Sequence, residues 1–103
     1  MLIPKPVRAK PLDRAGAEAL ALRALAWIAA EDDRLSRLLA LSGVDLAQLR
    51  ARAADPALLG GVLDCLLGDE GWVTDFAAEA GIDPAVVARA RRLLPGGEWG
   101  TSP

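Results

Sequence analysis

The sequence predicts an all-α fold, a compact six-helix bundle of two pseudo-symmetric three-helix units with the first and fourth helices at its centre. Three observations lead there. The 103-residue chain is 52% hydrophobic but only 4% aromatic, has no Tyr and few β-branched residues, and is rich in Ala, Leu and Arg, a composition that favours helix over sheet. Helix-start and helix-stop chemistry recurs along it. The stretch Ala57–Leu67 reads A-L-L-G-G-V-L-D-C-L-L; at roughly 100° per residue its leucines and Val62 cover about half a helix, a face broad enough for other helices to surround. The length is that of one domain.

Residues 1–13 hold Pro4, Pro6 and Pro11 with Lys5, Arg8 and Lys10. Closely spaced prolines oppose a helix, so this is a Pro-rich basic tail or arm. The helical domain is expected over 14–95. Helix 1 runs over 14–30, with Leu20, Leu22, Leu25, Trp27 and Ile28 pointing nearly all round the wheel; such a helix is buried or partly covered by another chain. Glu31, Asp32 and Asp33 cap and charge helix 2, over 33–42, whose apolar face is Leu35, Leu38, Leu39 and Leu41. Gly43 fits a left-handed stop with Val44 as the apolar residue beyond it. Asp45 opens helix 3 and pairs with Gln48 in a capping box, directing Leu46 and Leu49 inward and Arg50 and Arg52 outward.

Asp55-Pro56 supplies a cap and a proline at the first position of helix 4. Gly60-Gly61 inside it costs about 1 kcal/mol per glycine relative to Ala; close approach of another backbone, expected to be helix 1, would offset this. Asp69 caps helix 5, over 70–80, with Trp72, Val73 and Phe76 as core anchors. Gly81-Ile82-Asp83-Pro84 repeats the stop, latch, cap and proline. Helix 6, over 84–94, buries Val86 or Val87, Ala90 and Leu94. Residues 96–103 form a flexible C-terminal tail with Trp99 its one sticky residue.

An internal repeat underlies the two-unit expectation. Shifting 24–53 by 38 positions lays it on 62–91 with five identities, Leu25 on Leu63, Ala40 on Ala78, Gly43 on Gly81, Asp45 on Asp83 and Ala47 on Ala85. The punctuation is the stronger part: acid pair, helix, Gly-aliphatic-Asp, helix, twice in one register.

L-A-W-I-A-A-E-D-D-R-L-S-R-L-L-A-L-S-G-V-D-L-A-Q-L-R, then A-A-D-P-A-L-L-G-G-V-L-D-C-L-L-G-D-E, A-G-I-D-P and R-R-L-L-P-G-G resemble a family of short proteobacterial proteins known only as a domain of unknown function. The resemblance covers Glu18 to Gly97. It implies a short, all-helical cytoplasmic protein and supplies no activity or functional residues. Asp33 stands where the family is expected to prefer Pro at the start of helix 2.

Net charge is −2, which does not favour nucleic acid or anionic membrane. Its distribution is uneven. No Lys or Arg occurs over 53–88, whereas Arg89, Arg91 and Arg92 follow closely. With no His, imidazole catalysis and imidazole metal sites are excluded, and one Cys rules out a thiolate zinc site. No Walker loop or G-x-G-x-x-G is present. Cys65 reads as a small core hydrophobe. The acids sit where caps belong. No cofactor, no metal and no enzymatic role are expected. No signal peptide or membrane-spanning run is seen, so the expected compartment is the cytoplasm.

The expected function is a non-enzymatic protein–protein interaction module, with an unidentified protein partner or as a homodimer. The partner-binding candidates are Arg89, Arg91, Arg92 and Trp99. The alternative is a small nucleic-acid-binding protein using a helix-turn-helix-like corner of helices 5 and 6, with Ala77, Gly81, Ile82 and Val87 at the small, Gly and apolar positions. Against it, Asp83-Pro84-Ala85 would begin the recognition helix.

Overall fold

In the computed structural model, residues 12–95 are described. They form α1 (Arg14–Ala29), α2 (Asp32–Ser42), α3 (Leu46–Ala51), α4 (Pro56–Leu67), α5 (Glu70–Ala80) and α6 (Ala85–Arg92), with no strand among the described residues. Residues 1–11 of the 1–13 arm, and the 96–103 tail with Trp99, lie outside the described residues.

Local side-chain chemistry sets most helix ends. Asp13, Asp55 and Asp69 accept hydrogen bonds from the backbone N–H of Gly16, Ala57 and Trp72. Asp45 and Gln48 complete both halves of the expected capping box, at 2.8 and 2.9 Å. Gly43 and Gly81 end α2 and α5 at φ 75° and 72°, where a Cβ would be strained. Two end assignments are corrected. Glu31 occupies the cap position of α2 but its side chain makes no cap hydrogen bond; it pairs with Arg34 instead, and Asp32 already lies within the helix. The α6 helix is shorter than expected, since Pro84 is its N-terminal cap residue and Leu93 its C-terminal one.

The core is a single cluster with α4 at its heart. Leu58, Leu59, Val62, Leu63 and Leu66 are buried against Ala17, Leu20, Ala21, Ala24, Trp27 and Ile28 of α1, and α1 and α4 form the principal helix pair. Leu38, Leu49, Phe76, Val87, Ala90 and Leu94 close it from the remaining helices. Leu41 and Leu46 are corrected: both are exposed, leaving Leu38 as the buried anchor of α2 and Leu49 as that of α3. The α1 helix buries one face and leaves Leu22 42% exposed on another.

Matched repeat positions have similar burial. Leu38 and Phe76 are buried, as are Leu49 and Val87, and Val44 and Ile82 are both half-buried. Packing is less symmetric. The α1–α2 and α4–α5 pairs correspond, but α6 lies against both α1 and α4 while α3 has no comparable seat on either. The pseudo-twofold is therefore not confirmed. α6 is the third member of a central triad, whereas α3 is a short peripheral brace.

The glycine expectation needs the same change of neighbour. A Cβ on Gly60 would collide with the carbonyl oxygen of Pro95 and meet the Arg91 guanidinium at 3.2 Å. The close approach at Gly60 is thus made by the end of α6 rather than by α1.

Candidate functional site

The three α6 arginines do not act alike. Arg91 is an internal clamp: its Nε and Nη2 donate to both carboxylate oxygens of Asp64 on α4 at 2.6 and 3.1 Å, and its Nη1 donates to the carbonyl of Leu94 at 3.0 Å. Asp64 is exposed and ties α4 to the α6 end. A planar guanidinium suits this fork-to-fork geometry. Arg89 and Arg92 are instead exposed, and neither makes an ion pair among the described residues. Spacing of three and four residues puts Arg89, Arg92 and Leu93 on one face, opposite Val87, Ala90 and Leu94. Leu93 is 38% exposed.

The α5–α6 corner is a generic helix stop. Gly81 is left-handed and the N–H of Ile82 donates to the carbonyl of Ala77 at 3.0 Å, the hydrogen bond of a Schellman motif. Ala77 and Val87 are buried. At the start of α6 the Asp83 carboxylate accepts from the N–H of Ala85, so that helix end already carries an anion.

The most developed surface feature was not singled out from sequence as a site. Trp27 of α1 meets Trp72 and Phe76 of α5 edge-on, both at 5.9 Å between ring centroids, an arrangement favoured by the ring quadrupoles. Arg34 of α2 lies 3.8 Å from the Trp27 ring centroid and donates to the Trp27 carbonyl through Nε and Nη2 at 3.2 and 2.6 Å. One guanidinium therefore holds both the ring and the backbone at the end of α1. Arg37 stacks more loosely on Trp72, at 4.9 Å, while pairing with Asp69.

Beside this cluster an open groove of about 330 Å³ runs between α1 and α5, lined by Arg23, Ala26, Trp27, Ala30, Phe76, Glu79 and Ala80. A shallower depression adjoins it, sharing Trp27 and Glu79 and adding Asp75. Arg23 is occupied with the Ala80 carbonyl at 3.2 Å, which completes the α5 C-terminus. Asp75 and Glu79 make no ion pair among the described residues. The groove thus has an apolar floor and a rim of mixed charge, Arg23 and Arg34 beside Asp75 and Glu79. A second groove of about 330 Å³ is lined by Arg37, Leu41, Gly61, Asp64, Cys65 and Gly68. Both of its charges are already paired, Arg37 with Asp69 and Asp64 with Arg91.

Cys65, predicted as a core hydrophobe, is half-buried beside that second groove. Burial pushes its thiol up, against the smaller opposing pull of Arg37, so it stays protonated at neutral pH. Among the described residues no group of three His, Cys, Asp or Glu side chains is placed to hold a metal ion, and no helix is long and apolar enough to cross a membrane.

The family model described as "Protein of unknown function (DUF3572)" matches residues 14–97, which include all six helices. Comparison with curated proteins and with solved structures finds no match.

Proposed function

The chain belongs to the DUF3572 family of proteins of unknown function, and on that footing we propose that it is a non-enzymatic protein–protein interaction module of the cytoplasm whose docking surface is the α1–α5 groove. The observation that carries this reading is the contrast between the two grooves. One spends its charges internally. The other sets Trp27, held by the Arg34 stack, and Phe76 beside Asp75 and Glu79, neither of which makes an ion pair among the described residues, with Arg23 and Arg34 on the same lining. Rigid aromatic anchors next to unpaired rim charge are the elements that give protein interfaces their affinity and their choice of partner. The groove is open rather than enclosed, which suits a protruding side chain better than a small molecule held on all sides.

The test is site-specific photo-crosslinking in the native cell. A photoreactive residue replacing Ala26, in the groove, should give a discrete crosslinked species; one replacing Arg50, exposed on α3, should not. Identical patterns from the two positions would overturn the assignment. The nucleic-acid alternative draws on Arg89 and Arg92. Counterion release needs several phosphate contacts, and Arg91 is engaged with Asp64. A salt-sensitive electrophoretic shift, abolished by changing Arg89, Arg91 and Arg92 to Ala, would favour that alternative.

A further inference from the structure

We infer that the second groove, between α2 and α4, is the seat of this chain's own Trp99, whose ring lies over Gly61 and Cys65 with Leu41 as the facing wall. This seat is separate from the α1–α5 groove and does not depend on it. The place where the chain leaves the described residues argues for this occupant. Pro95 is held against Gly60 of α4, and Arg91 beside it grips Asp64, which also lines the groove. At roughly 100° per residue, Gly61, Asp64, Cys65 and Gly68 form a stripe on the flank of α4 next to Gly60, away from the buried Leu59, Val62, Leu63 and Leu66. Residues 96–103 read G-G-E-W-G-T-S-P. The extended chain from Pro95 to Trp99 spans up to roughly 13 Å, and the stripe from Gly61 to Gly68 is roughly 10 Å long. The glycines at 96 and 97 put no side chain in the way of a turn onto α4.

Chemistry selects the same occupant. The groove's two charged residues are already paired, Arg37 with Asp69 and Asp64 with Arg91, so it calls for an apolar group and not an ion. Leu41 on its wall is 60% exposed and gains cover from an indole. Two glycines leave the floor without side chains, which suits a flat ring. A volume of about 330 Å³ lies at the lower end for binding pockets and admits one large side chain; a seated Trp buries roughly 150–250 Å². The Pro95 contact accounts for Gly60, and a ring over Gly61 gives the adjacent glycine its own reason to lack a side chain.

Cys65, the chain's single thiol, reports on the seat. Its modification by an aromatic disulfide reagent is followed in the full chain and in the variants Trp99→Ala and Leu41→Ser. Leu41 is exposed, so its change leaves the buried core intact, and circular dichroism melts check that both variants are folded. Cys65 should react about tenfold or more faster in either variant than in the wild type, because the covering ring is gone or loosened. The emission of Trp99, taken as the difference between the wild type and Trp99→Phe, should be blue-shifted and protected from acrylamide, and should lose both properties when Leu41→Ser is introduced. Dilution should alter neither reading, since ring and seat belong to one chain. Equal Cys65 rates in the three proteins, or a Trp99 emission in the wild type like that of free tryptophan, would overturn the inference. Protection that fades on dilution would overturn it in favour of a tail donated by a second copy.

Discussion

Changing Gly60 to Ala sets two opposing effects against each other, and the structure says which is larger. In a helix interior Ala is favoured over Gly by about 1 kcal/mol. At Gly60, however, the new methyl would overlap the Pro95 carbonyl oxygen and press on the Arg91 guanidinium. The obstacle is backbone and cannot rotate aside, so the α6 end must move. Forced overpacking costs about 1–3 kcal/mol. Moving the end also loosens the hydrogen bonds from Arg91 to Leu94 and Asp64, and charged bonds of this kind carry about 1.5–3 kcal/mol each when well shielded, less here because Asp64 is 48% exposed. The cost exceeds the gain, and Gly60→Ala should lose about 1–3 kcal/mol, or roughly 5–20 °C in Tm for a domain of this size. Gly68 is the internal control. Its φ is −73° and an added Cβ meets only ordinary contacts at 3.4 and 3.6 Å, so Gly68→Ala should gain about 0.4–1 kcal/mol. Urea unfolding followed by circular dichroism measures both, with the midpoint moving and the slope constant. A Gly60→Ala protein as stable as the wild type would refute the assignment of Pro95 as the neighbour that requires glycine.

Two further outcomes follow from the core and from one cap. Leu63→Ala, at a fully buried position of α4, should cost about 2–5 kcal/mol in the same assay; a loss under about 1 kcal/mol would contradict the central place of α4. The Trp72 backbone N–H, and then Arg37, hold the Asp69 carboxyl below the ordinary carboxylate range. A lowered folded-state pKa contributes stability that is present above the unfolded value near 4 and is lost as pH falls through the folded value. The Tm of Asp69→Asn should therefore fall less steeply than that of the wild type from about pH 5 downward, and parallel pH profiles would refute the coupling.

What could be read from the sequence was the chemistry that acts within a few residues. Gly43 and Gly81, Asp45 with Gln48, and Asp55 before Pro56 each bring their consequence with them, so helix order and most boundaries were legible. The leucines of α4 announced a buried rod by periodicity alone. The misassignments involve partners distant in the chain. Nothing near Gly60 indicates that Pro95 will lie over it, and nothing near Arg91 indicates that Asp64, 27 residues away, will consume its charge. Leu46 and Leu49 look alike to a helical wheel, yet α3 is too peripheral to bury both. The aromatic groove was hidden for a related reason. Spacing directs Trp72 and Phe76 toward the interior, as the core has them, but no periodicity shows that Trp27 meets them or that Arg34 covers it. The offset of 38 correctly paired burial at matched positions, but similar burial does not require similar neighbours.

The contact between Gly60 and Pro95 makes the last described turn a latch on the central helix. Trimming the chain after Arg92 would look harmless, since it removes only residues beyond a helix. It would in fact take away the carbonyls that Arg91 grips and uncap a bare backbone patch in the middle of α4. A shortened version should therefore unfold more readily than its preserved helices suggest, and any fusion or tag is better joined beyond Pro95 than before it.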